Sequence, residues 1–261
     1  MIPALHLSAL SQPVHMQLPI KLAHNYYPGK GPVILFCGGF NSNRNGNKAM
    51  ALQSWALKNQ HAYLRYDYQG HGESPSDFAD CTISTWLSDV LTVIDALDPP
   101  SNVVLVGSSM GGWLSLLAAR LRPERVAGLL LIACAADMTD YYPARLTDLP
   151  QQLDDKGRLY YSVPNEYDDQ VPYRITQALL DDGAKHKLLN AAISISAPVR
   201  LIHGIDDDVV PWERSQSVMQ QLETQCCSLS LIKHGDHRLS KPHELRFIEN
   251  QLAELLQDCR D

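Results

Sequence analysis

The stretch N-V-V-L-V-G-S-S-M-G-G-W-L-S-L-L-A-A-R, residues 102–120, constrains this chain's fold more than any other. An apolar β-branched run passes directly into G-S-S-M-G, which passes directly into an apolar helical pattern. A strand that becomes a helix across so short a turn belongs to a layered arrangement in which helices cover a parallel sheet. The turn holds Ser109 in a strained conformation and lifts its hydroxyl clear of the sheet. Gly107 and Gly111 stand two positions either side, where a Cβ would meet the neighbouring strand or helix. The helix N-terminus supplies partial positive charge where an oxyanion would develop. A bare G-x-S-x-G also arises as a chance glycine turn. Its strand and helix flanks are what make Ser109 a candidate nucleophile.

The same alternation runs through the chain. Apolar runs at Val33–Cys37, Ala62–Tyr66, Val103–Val106, Val126–Cys134, Val199–His203 and Ser228–Lys233 are bounded by Gly, Pro, Asn or Asp. None alternates cleanly, as expected of strands buried on both faces. Helical patterns fall between them at Asn45–Lys58, Ser84–Leu97, Met110–Leu121, Pro211–Glu223 and Pro242–Leu255. The first thirty residues, with Val14–Ala23 the clearest run, predict an antiparallel edge hairpin. Between Ala135 and Ala197 no parallel strand is evident, and the interval holds six of the eleven tyrosines: Tyr141, Tyr142, Tyr160, Tyr161, Tyr167 and Tyr173. A segment of about sixty residues is too long for a simple loop. The expectation is one domain over residues 1–261, with a small helical lid inserted at about 136–196 and a helical piece around Ile175–Asn190.

Composition limits the partners. With 22 Lys plus Arg against 29 Asp plus Glu the net charge is −7, and no basic cluster suits nucleic acid. No apolar run is long enough to span a bilayer, and the N-terminus lacks a positive n-region and an A-x-A site. Six scattered cysteines without a C-x-x-C pair read as reduced thiols rather than a disulfide framework or zinc site. These features predict a cytoplasmic location. Neither metal nor organic cofactor is implied.

In its strand–helix setting, the motif around Ser109 resembles the nucleophile elbow of the α/β-hydrolase fold. That resemblance implies a triad in the chain order Ser, Asp or Glu, His. After the expected lid comes A-P-V-R-L-I-H-G-I-D-D-D-V-V-P-W, a strand delivering Asp206, Asp207 and Asp208 to a loop. The family pattern H-G-x-x-D-x-x-V-P, laid on His203–Pro211, selects Asp207 and leaves Asp206 and Asp208 as a solvated turn. The next strand ends in L-I-K-H-G-D-H-R-L-S, where His237 matches the family's histidine and His234 lies at the strand end. The H-x-x-H spacing lacks a third metal ligand in sensible register. The resemblance also implies an oxyanion hole from the backbone N–H groups of Met110 and of Phe40, with Gly39 the alternative in V-I-L-F-C-G-G-F-N-S. A turn like D-x-x-G-x-G-x-S, Leu64–Ser74, supplies Asp67 and Ser74 to fix a loop, with no catalytic role for His71.

G-F-N-S-N-R-N-G-N-K-A, V-G-S-S-M-G-G-W and I-K-H-G-D-H-R-L-S together resemble the acyl-glucuronide esterase and palmitoyl-protein thioesterase branch of these hydrolases and its bacterial relatives. The likeness runs from about Pro32 to Leu239. It implies an esterase or thioesterase acting on a small-molecule acyl ester or thioester. An aminopeptidase or amide hydrolase is the rival within enzymes, and a low-turnover ligand-binding homologue the rival outside them. The Tyr-rich lid fits an apolar or aromatic acyl pocket, though the same rings serve equally to pack a lid onto a core. Arg145 or Arg158 is a candidate to meet a substrate carboxylate.

Overall fold

Each apolar run becomes a strand of one sheet in the computed structural model, which describes residues 12–98, 102–141, 146–164 and 172–259. The strands are β1 (His24–Tyr27), β2 (Lys30–Cys37), β3 (His61–Tyr66), β4 (Val103–Ser108), β5 (Val126–Ile132), β9 (Val199–Gly204) and β10 (Cys227–Ile232). Their spatial order is β1-β3-β2-β4-β5-β9-β10. Every neighbouring pair is parallel except β1 with β3 at the edge.

The central strands β2, β4 and β5 are mainly apolar because both faces are covered. Along β2, Val33, Leu35 and Cys37 enter one core with Trp86, Val90 and Trp113. Ile34 and Phe36 enter the other, with Leu52, Ile248 and Leu252. Thus α2 (Ile83–Asp95) and α3 (Met110–Leu121) pack on one face, while α1 (Asn47–Lys58) and the C-terminal helix (Pro242–Asp258) pack on the other. The period of two inherent to a strand sends alternate side chains to the two faces, and here both faces are dry.

Two expectations need correcting. The antiparallel edge exists, but Val14–Ala23 is not its strand. The edge is β1, and Val14 makes only an isolated antiparallel bridge to Tyr26. The insertion is not chiefly helical. It carries a three-stranded antiparallel sheet of β6 (Gln151–Leu153), β7 (Leu159–Val163) and β8 (Tyr173–Thr176), followed by the short helix α4 (Gln177–Gly183). These strands are three to five residues long. Pairing with neighbours creates them more than local pattern does.

The strand–helix turn is as tight as the sequence requires. Ser109 has φ 54° and ψ −119°, between the end of β4 and the first residue of α3. A Cβ on Gly107 would lie 2.5 Å from the Gly111 carbonyl oxygen, inside the first turn of α3. One on Gly111 would lie 2.1 Å from the Cys37 carbonyl oxygen at the end of β2. Both contacts are with backbone, which cannot swing away. Gly111→Ala is therefore expected to destabilise the fold by roughly 1–3 kcal/mol, despite the ~1 kcal/mol of helix propensity that alanine adds. A denaturant midpoint matching the parent's, at unchanged slope, would show instead that β2 yields to the methyl group.

Candidate active site

The carboxyl end of the sheet gathers the residues nominated from three distant stretches. The bend after β4 presents Ser109. The loop after β9 presents Asp207, and the loop after β10 presents His237. His237 Nε2 lies 3.1 Å from Ser109 Oγ. Its Nδ1 lies 2.8 Å from Asp207 Oδ2.

Asp207 is pinned before it meets His237. Its Oδ1 accepts the N–H groups of Val209 at 3.0 Å and Val210 at 2.8 Å. Its Oδ2 also takes His203 Nε2 at 3.0 Å. The side chain is wholly buried. Burial alone would raise its pKa, but hydrogen bonds from His203, His237 and the Val210 N–H outweigh that and hold it well below the usual carboxylate range. Asp207 is therefore ionised at neutral pH and can only accept hydrogen bonds, so His237 carries its proton on Nδ1. Nε2 is then left to accept the Ser109 hydroxyl. A serine donating to an imidazole backed by a carboxylate is the arrangement that makes a hydroxyl nucleophilic.

The neighbouring alternatives face elsewhere. His234 Nδ1 lies 3.1 Å from Asp206 Oδ2, and the two side chains are 74% and 57% exposed. They form a surface pair, a kind worth little in water.

The loop after β2 borders Ser109 from the other side. Gly39 lies so near that a Cβ on it would be 3.4 Å from the Ser109 Cβ. Phe40 lies within the Gly39–Ser42 turn, and Met110, after the serine bend, is the first residue of α3, whose N–H has no partner within the helix. His71 holds this loop. Its Nε2 accepts the Asn41 N–H at 3.1 Å, so Nδ1 donates to the Gln69 carbonyl at 3.2 Å. Burial pushes the His71 pKa down to about 4, keeping the ring neutral and able to accept. Asp67 accepts the N–H groups of Arg44 at 2.6 Å and Glu73 at 3.0 Å, and Ser74 Oγ donates to the Asp67 carbonyl at 2.6 Å.

Two supports went unforeseen: His71 beneath the β2 loop and His203 behind Asp207. His203 is fully buried, with Nδ1 2.7 Å from Ser215 Oγ and Nε2 3.0 Å from the Val210 carbonyl. The signal for it was in the sequence, as the first residue of H-G-x-x-D-x-x-V-P.

A cavity of about 570 Å³ opens over Ser109. The insertion lines it with Met138, Tyr141, Val163 and Tyr173, while the loop after β2 and the start of α1 bring Asn41, Asn43, Asn47 and Lys48. Phe40 packs edge-on against Tyr173, with ring centroids 5.9 Å apart. Arg158, one candidate for a substrate carboxylate, is otherwise engaged. It meets Asp154 at 2.6 Å, Asp80 at 2.5 Å and Asp77 at 2.9 Å, tying the β6–β7 turn to the loop before α2. Arg145, Tyr142 and Tyr167 lie outside the described residues. No helix among the described residues is long and apolar enough to cross a membrane.

A doubly wound sheet with this serine bend at its carboxyl end defines a class. The model of the family described as "Alpha/beta hydrolase family" matches residues 34–246, and the chain belongs to that family. It is 36% identical over 251 residues to "Palmitoyl-protein thioesterase ABHD10, mitochondrial" of Rattus norvegicus, a match covering 96% of this chain and 82% of that protein. The solved structure of the mouse α/β hydrolase domain-containing protein 10 superposes with a TM-score of 0.82 at 33% identity, covering 94% of this chain and 99% of that one. A putative hydrolase from Agrobacterium vitis S4 superposes at 0.81 with 27% identity, over 93% of this chain and 100% of that one.

Proposed function

We propose that this chain is a serine hydrolase that cleaves carboxylic esters or thioesters through an acyl-enzyme. The observation that carries the reading is the continuous path from Ser109 Oγ to His237 Nε2 at 3.1 Å and from His237 Nδ1 to Asp207 Oδ2 at 2.8 Å. Ser109 attacks the acyl carbon while His237 takes its proton, and Asp207 stabilises the imidazolium that results. The N–H groups of Phe40 and Met110 receive the oxyanion, helped by the N-terminus of α3. His237 then returns the proton to the leaving oxygen or sulfur. A water activated by the same imidazole releases the acid.

The apolar wall from the insertion suits the acyl chain. The relatives named as thioesterases favour an activated acyl donor over an amide. Six scattered cysteines without a C-x-x-C pair support a reducing compartment. We take this to be the cytoplasm, although the mammalian relatives are named as mitochondrial.

Steady-state turnover of p-nitrophenyl esters, acyl thioesters and an aminoacyl amide tests the reading. Ester and thioester hydrolysis is expected, with the amide left at the Ser109→Ala background. An amide turned over faster than either ester or thioester would overturn the assignment in favour of an amidase.

A further inference from the structure

Two stretches that stand out in the sequence, N-G-N-K-A (45–49) and D-H-R-L-S (236–240), have little part in the chemistry above apart from His237. They meet in the structure. Lys48, in the first turn of α1, donates from Nζ to the carbonyl oxygen of Arg238, the residue after His237. The loop that this contact reaches carries backbone strain. His234 and Leu239 both stand at positive φ, 58° and 43°, a conformation strained for a non-glycine residue.

Before His237 the loop is held from the β9 side, where the Asp206 N–H donates to the Gly235 carbonyl at 2.9 Å. After His237, Leu239 N–H returns to Asp236 Oδ1 at 2.9 Å and Ser240 Oγ to the Arg238 carbonyl at 3.0 Å, both within the loop itself. Lys48 brings a tie to that half from a separate element. Its side chain is half-buried at the rim of the cavity over Ser109. Burial pushes its pKa down to about 8, opposed by Asp236, Glu244 and Asp207 and reinforced by Arg238. What makes it a strut is the hydrogen bond to the Arg238 carbonyl, which joins α1 to the loop that carries His237.

We propose that Lys48 is a positioning residue for His237. By holding the Arg238 carbonyl it fixes the loop that carries the imidazole between Asp207 and Ser109. The proposal rests on the serine-hydrolase reading. It explains why the two stretches occur together: one supplies the base, and the other supplies the strut that aims it. A base misplaced by an ångström costs a reaction about 10²-fold, without altering how a neutral substrate binds.

The test is p-nitrophenyl butyrate hydrolysis by the full chain as Lys48→Met, Lys48→Gln, Lys48→Arg and Ser109→Ala. Lys48→Met is expected to lower kcat by about 10- to 100-fold with KM nearly unchanged and the melting temperature near the parent's. Lys48→Gln gives the same split and serves if the Met variant does not fold. Lys48→Arg, which keeps a long cationic donor, recovers most of kcat. Two outcomes overturn the proposal: parental kcat in both neutral variants, or a raised KM at parental kcat, which would make Lys48 a substrate contact. A Ser109→Ala protein as active as the parent would instead remove the hydrolase reading beneath it. A silent Ser109→Ala beside parental Lys48→Met removes only the role of Lys48.

Discussion

Ser109→Ala is expected to lose about 10⁴- to 10⁶-fold in ester and thioester turnover and all labelling by a fluorophosphonate, while melting close to the parent. The two halves of this expectation have separate physical grounds. The bend at φ 54° is held by backbone bonds: Ser109 N–H to the Ile132 carbonyl at 2.9 Å, Ala135 N–H to the Ser109 carbonyl at 3.1 Å, and Gly112 N–H to the same carbonyl at 2.9 Å. None of them uses the hydroxyl. Alanine carries the same Cβ and meets the same penalty at positive φ, so the turn survives. What disappears is the oxygen 3.1 Å from His237 Nε2. The residual rate is that of a water attacking an acyl group still bound beside the oxyanion donors. Persistent labelling in the folded variant would place the nucleophile elsewhere.

The sequence made the sheet legible because burial on both faces leaves a simple trace, an apolar run ended by a breaker. The runs at Val103–Val106 and Val199–His203 fall within β4 and β9, which extend only one or two residues further. The serine bend was legible for a related reason, since Gly107 and Gly111 leave no space for a Cβ. The insertion was not. Gln151–Leu153 has no period to read, and β7 owes its form to partners on both sides, Gln151–Leu153 and Tyr173–Thr176. Such strands are tertiary objects. The N-terminal edge failed similarly: His24–Tyr27 is a strand because β3 offers it an antiparallel edge, not because it is more apolar than Val14–Ala23. Around the site, the residues that touch the reacting atoms stood in motifs, whereas those that hold them stood in the same motifs unassigned. His203 reaches Asp207 within one motif, whereas His71 and Lys48 each work through one hydrogen bond to another loop. No spacing rule announces a contact of that kind.

The second large effect expected is a loss of about 10⁴-fold in kcat for Asp207→Asn, and the local hydrogen bonds explain why so small a change does so much. Oδ1 of Asp207 faces two backbone donors, Val209 N–H and Val210 N–H. An asparagine must turn its oxygen to them, so its NH₂ lands where Oδ2 met His203 and His237. His203 adapts only at a cost: if Nε2 accepts and Nδ1 donates to the Ser215 hydroxyl 2.7 Å away, the Val210 carbonyl 3.0 Å from Nε2 loses its donor. His237 also adapts, and in doing so loses its function. Its Nδ1 becomes an acceptor, its proton moves to Nε2, and a donor now points at Ser109 where a base is needed. Stability falls as well. The Asp207 carboxyl is held below its ordinary range, so its contribution is present above the unfolded carboxylate pKa and fades only as pH falls through the folded value. At neutral pH the parent has that contribution and the variant does not. Asp206→Asn is the control, because Asp206 pairs with His234 on the surface and both are more than half exposed. Its kcat is expected to match the parent's. Comparable losses in the two variants, or an Asp207→Asn protein within tenfold of the parent, would show that the imidazole is oriented by some other group.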